Sequence, residues 1–110
     1  MAAGAGKTLT GQGALITGAS RGIGRAVALR LAQEGARVAL FARTVPDLEA
    51  VARQVEAAGG QALVIPGDAR KEEDVVRAIH ETIETFGSLD ILVINAGVGK
   101  YGPLETFSAS

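Results

Sequence analysis

The sequence predicts an α/β fold: a doubly wound parallel sheet of strand order 3-2-1-4, with helices on both faces. Three observations carry this. Short apolar runs alternate with amphipathic helical windows, the runs are apolar without alternation, and glycines gather where a run passes into a window. An unbroken apolar run suits a strand buried on both faces, which a parallel sheet covered by helices provides. Right-handed crossovers between such strands then distribute the helices over the two faces.

Each element has its own signal. Ala14-Leu15-Ile16-Thr17 reads as the first strand. Gly22 to Glu34 follows as a helix, with Ile23, Val27 and Leu31 four apart on one face and Gly35 closing it. Arg37 to Ala42 is the second strand. Thr44, Pro46 and Asp47 form a helix start, since Pro is tolerated in the first turn and an acid suits the positive end of the dipole. Leu48, Val51, Ala52 and Val55 give that helix its apolar stripe, and Gly59-Gly60 ends it. The third strand lies within Gln61 to Pro66. Lys71 to Phe86 is a third helix, with Val75, Ile79 and Ile83 in register, then Gly87. Asp90-Ile91-Leu92-Val93-Ile94 is the fourth strand, and the text from Ala96 to Pro103 reads as a loop. Because the chain reverses direction after the third strand, the first two helices should cover one face and the third the other. The crevice between strands 1 and 4 is then the expected ligand position, and strand 4 is an open edge.

Composition narrows the function classes. The 110 residues are 47% apolar, enough for one packed domain, and the formal net charge is -1. With no basic run, a nucleic-acid or membrane-surface binder is not expected, though a pocket for one small anion is compatible. There is no cysteine and one histidine, so disulfides, thiolate sites and a structural zinc site are not expected. No segment approaches the roughly 18 apolar residues of a membrane span. Met1 to Thr10 lacks the apolar stretch of a secretory signal. We therefore expect a soluble, cytoplasmic protein, with residues 1–8 a flexible leader and 9–110 the folded unit.

The chemistry-bearing segment is Thr17-Gly18-Ala19-Ser20-Arg21-Gly22-Ile23-Gly24, where the first strand turns into the first helix. Gly18 suits a tight turn off the strand. Gly22 lets a diphosphate approach the backbone without a Cβ in the way, and Gly24 lets the helix sit close to the sheet. The N-terminal amides of the helix then face the anion. The spacing is G-x-x-x-G-x-G rather than the common G-x-G-x-x-G. About 20 residues beyond Gly24, where an acid would accept hydrogen bonds from a ribose 2′-hydroxyl, stand Ala42 and Arg43. Arg43 and Arg21 suit a 2′-phosphate instead, because a guanidinium donates paired hydrogen bonds. NADP(H) is therefore expected over NAD(H).

Thr17-Gly18-x-x-x-Gly22-Ile23-Gly24 is similar to the TGxxxGIG motif of short-chain dehydrogenases/reductases, and Asn95-Ala96-Gly97 resembles that family's NAG motif. Asp68 sits where the family's Asp touches the adenine amino group, next to Ala69, and Asp90 matches the Asp that begins the family's fourth strand. Ile94 replaces a first Asn found in many members. The resemblance runs from about Leu9 onward. It implies a Rossmann-type NAD(P)-binding domain and a cofactor site at Thr17, Gly18, Ser20, Arg21, Gly22, Ile23, Gly24, Arg43, Asp68, Ala69, Asn95, Ala96 and Gly97. It also implies hydride transfer between a nicotinamide and a small carbonyl or alcohol substrate, and a homo-oligomer when complete.

The family's catalytic Ser, Tyr and Lys, with a supporting Asn, would follow Ser110. On this reading the domain is partial, truncated after the fourth strand, with no catalytic residue, inactive alone and marginally stable. Asn95 belongs to the cofactor-side motif and is not that supporting Asn. Tyr101 does not fit the catalytic Tyr, because Glu105 stands where Lys is needed and Gly102-Pro103 breaks a helix. Gly6-Lys7-Thr8 matches only the end of a P-loop and has no preceding strand, and His80 has no partner ligand. The alternative is a non-catalytic nucleotide-binding or interaction module ending at Ser110. An epimerase-like relative would resemble G-x-x-G-x-x-G spacing instead.

Overall fold

The computed structural model describes residues 8–95. Its elements are β1 (Gly13–Thr17), α1 (Gly22–Gln33), β2 (Arg37–Ala42), α2 (Val45–Ala57), β3 (Ala62–Pro66), α3 (Glu72–Phe86) and β4 (Ile91–Val93). The strands form one parallel sheet in the order β3-β2-β1-β4, as the crossover argument predicts. The register sets Thr17 beside Phe41 and Ala42 beside Pro66, so the carboxyl ends of β1, β2 and β3 finish along one edge.

Side chains alternate between two cores. Ala14, Ile16, Val38 and Leu40 face α1 and α2, where Ala28, Ala32, Leu48, Val51, Ala52 and Val55 meet them. Leu15, Ala39, Phe41 and Ile65 face α3 through Ala78 and Phe86. The stripe expected for α2 is the buried one. The faces of α1 and α3 are turned by one position from the expected stripes. Gly24, Ala28 and Ala32 are the buried residues of α1, while Ile23 is 73% exposed. Ala78, Thr82 and Phe86 are buried in α3, while Val75 and Ile79 are half-buried and Ile83 is exposed. Small side chains toward the strands let α1 lie close, while in α3 Phe86 completes the contact that Ala78 and Thr82 begin. The buried Thr82 hydroxyl is satisfied by donating to the Ala78 carbonyl at 2.7 Å.

Strand β4 is tied at its start. The Asp90 N–H donates to the Gly13 carbonyl (2.8 Å), and Asp90 Oδ2 accepts from the Gly13 N–H (2.9 Å) and the Ser88 hydroxyl (2.8 Å). The Gly13 N–H foremost, then Ser88, hold the Asp90 carboxyl below the usual carboxylate range. Among the described residues no helix is long and apolar enough to cross a membrane.

Candidate functional site

The turn from β1 into α1 is built from the inside outward. Gly18 and Gly22 have φ of +64° and +63°, the left-handed region that glycine enters without steric cost. A Cβ on Gly24 would strike the Gly18 carbonyl oxygen and lie 2.7 Å from Asn95 Nδ2, so this glycine is what lets α1 close on the strand end. Around Gly22 nothing lies within 4 Å of where a Cβ would be. Gly24 thus faces the protein, while Gly22 faces open space.

Thr17 and Asn95 bind the two strands that flank this turn. The Asn95 N–H donates to Thr17 Oγ1 at 2.8 Å, and that hydroxyl faces the Val93 and Asn95 carbonyls at 3.4 and 3.3 Å. Asn95 Nδ2 reaches the Gly18 carbonyl at 3.4 Å. On the other side the Ala19 N–H donates to the Phe41 carbonyl (3.3 Å), which pins the turn to β2.

The electrostatics distinguish α1 from the other helices. Asp47 stands in the first turn of α2, and Glu72, Glu73 and Asp74 in that of α3, but the first turn of α1 has no acid. Its N-cap is Arg21 in extended conformation, with no side-chain cap. The positive end of the α1 dipole and its first amides therefore lack an internal counter-charge. Arg21 and Arg43 are exposed, and neither forms an ion pair with a described residue. Ser20 is half-buried within the turn, and Ala69 is exposed beyond β3.

Asp68 is engaged in a way the sequence reading missed. Arg70 Nε donates to its Oδ1 (3.1 Å), Arg70 Nη2 to its Oδ2 (3.0 Å) and the Arg70 backbone N–H to Oδ1 (2.9 Å). These bonds, with smaller contributions from the charges of Arg70 and Arg43, push the Asp68 carboxyl down to about 2. The loop below is fixed as well: the Asp68 N–H donates to Asp74 Oδ2 (2.9 Å), and Arg77 Nη2 donates to the Pro66 carbonyl (2.9 Å). The available signal was the Asp-x-Arg spacing directly after a strand. The structure brings Thr17, Gly18, Gly22, Gly24 and Asn95 together, with Asp68 and Arg43 farther along the same sheet edge. Ala96, Gly97, Tyr101 and Glu105, and residues 1–7, lie outside the described residues.

The family model described as short chain dehydrogenase matches residues 12–110. The chain belongs to the short-chain dehydrogenase/reductase family. It is 47% identical over 96 residues to a glucose 1-dehydrogenase of Gluconobacter oxydans (strain 621H), covering 86% of this chain and 36% of that protein. A dehydrogenase/reductase from Sinorhizobium meliloti 1021 superposes with a TM-score of 0.83 at 47% identity, over 93% of this chain and 41% of that one. The L-sorbose reductase of Gluconobacter frateurii, solved with NADPH and L-sorbose, superposes with a TM-score of 0.80 at 38% identity, over 91% and 38% of the two chains. The chain thus spans about a third of the length of the curated relatives it matches. The family binds a nicotinamide cofactor, and the turn fits the diphosphate of such a group: Gly22 leaves the space a Cβ would fill, and the adjoining helix end lacks an acid.

Proposed function

We propose that residues 9–110 form the cofactor-binding part of an NADP(H)-dependent oxidoreductase acting on a small carbonyl or alcohol compound. The observation that carries this reading is the acid-free N-terminus of α1 behind an open Gly22, with Arg21 exposed at its N-cap and Arg43 exposed after β2. Thr17, Gly18, Ser20, Gly22, Ile23 and Gly24 would cradle the diphosphate and adjoining ribose. Arg21 and Arg43 would take the 2′-phosphate, Asp68 and Ala69 the adenine, and Asn95, Ala96 and Gly97 the side toward the nicotinamide. When bound, the nicotinamide supplies or accepts hydride. The chain's own residues orient it and hold its charge, and none of them is assigned as an acid or base. The NADPH bound to the L-sorbose reductase supports the choice of cofactor. A homo-oligomeric, cytoplasmic enzyme belongs to the same proposal.

Calorimetric titration of the full chain with NADP+ and NAD+ tests the reading. Tighter NADP+ binding is expected, and loss of the Arg43 contacts in Arg43→Ala should cost about 1.5–3 kcal/mol for NADP+ alone. Equal affinity, tighter NAD+, or no binding of either by the folded chain would overturn it.

A further inference from the structure

On the reading just given, we propose that Arg70 is a specificity-determining residue: it neutralises Asp68 on the adenosine side of the site and thereby permits preference for a 2′-phosphorylated nucleotide. The argument starts from the sheet. Ala42 pairs with Pro66, and the Gly67 N–H donates to the Ala42 carbonyl at 2.9 Å, so the segments carrying Arg43 and Asp68 leave the sheet side by side. An unpaired carboxylate there would repel a phosphate held by Arg43 and Arg21, and would itself attract ribose hydroxyls. It is not unpaired. The Arg70 fork takes both Asp68 oxygens, and Asp74 together with Arg77 holds the loop beneath. Asp68 is the enclosed partner, with its side chain 17% exposed, and Arg70 the open one at 76%. The pair presents no net negative charge to a ligand. Asp47, in the first turn of α2, lines the same shallow groove as Ser20 and Arg25.

Arg70 touches no ligand on this view and acts through charge. Its test is a ratio: the affinity of the full chain for adenosine 2′,5′-bisphosphate over that for 5′-AMP, measured by calorimetry at low and high salt. Arg70→Ala should lower the ratio about three- to tenfold at low salt and less at high salt, as screening requires. Arg70→Lys keeps the charge and should keep the ratio, and Asp68→Asn in the Arg70→Ala background should restore it. A wild-type ratio near one overturns the NADP(H) reading itself. A wild-type preference that Arg70→Ala leaves intact overturns only the role of Arg70. So does a parallel loss of both affinities, which is what a merely structural residue would produce.

Discussion

The two faces of the sheet differ in how far they are closed. Against α1 and α2, Ala14, Ile16, Val38 and Leu40 are fully buried, and the helices meet them with an apolar layer. On the face toward α3, Leu15, Ala39, Phe41 and Ile65 are fully buried, but the closure does not extend to β4. Leu92, the neighbour of Leu15 on β4, is 46% exposed, and Ile94 is 66% exposed. Two leucines in one sheet thus have unlike surroundings, so burial by position in the crossover, more than residue type, decides what each contributes.

The largest expected effect tests this directly. Leu40→Ala, at a fully buried position of β2, should cost about 2–5 kcal/mol by removing transfer energy and leaving a cavity. Leu92→Ala should cost under about 1 kcal/mol, because its side chain is already half in water. Urea unfolding with unchanged slope measures both. Equal shifts in midpoint would remove the distinction between the faces.

A smaller effect separates the two glycines of the site. Gly24→Ala drives a methyl into the Gly18 carbonyl, and should cost about 1–3 kcal/mol of stability while displacing Asn95. Gly22→Ala meets no neighbour and pays only for a left-handed backbone, about 1–2 kcal/mol. If Gly22 is open because a phosphate approaches it, its alanine variant should lose affinity for NADP+ out of proportion to its loss of stability. Denaturation and titration of both variants check this, and proportional losses would mean that the glycine serves the turn alone.

The legible parts of the sequence were those where one physical cause dominates. Strand order followed from crossover handedness, and the α2 face from Leu48, Val51 and Val55, whose size and burial agree. The faces of α1 and α3 were displaced because periodicity weighs large side chains. Ile23 and Ile83 dominate that pattern, whereas the buried positions are Gly24, Ala28 and Ala32 in α1 and Ala78, Thr82 and Phe86 in α3. In the site, the glycines and Asn95 were legible because each occupies a motif position with a geometric demand. Arg70 was not, since its role depends on how the loop after β3 folds back to bring a guanidinium onto a carboxylate two residues earlier. Asp90 was legible as a strand start, but its double tie to Gly13 appears only when β1 and β4 are side by side.

The smallest effect concerns acid, and it also separates parts of the fold. Asp68 and Asp90 both have carboxyls lowered in the folded chain, Asp68 chiefly by Arg70 and Asp90 chiefly by the Gly13 N–H. A lowered carboxyl favours the folded state above its unfolded value near pH 4, and that contribution is lost as pH falls through the folded value. For Asp68 the window therefore runs from about pH 4 down to about 2. Asp90 ties the more open edge, at β4, so its protonation should loosen β4 before the β1–β2 centre is affected. Asp90→Asn keeps an acceptor oxygen but loses the charge, so it should flatten the acid limb by lowering neutral-pH stability while leaving low-pH stability nearly unchanged. Hydrogen exchange at amides of β4 and β2 across this range measures it. Protection falling first at β4, and less steeply in Asp90→Asn, is the expected result. Simultaneous loss on both strands would mean that the sheet opens as one unit and that the edge has no separate stability.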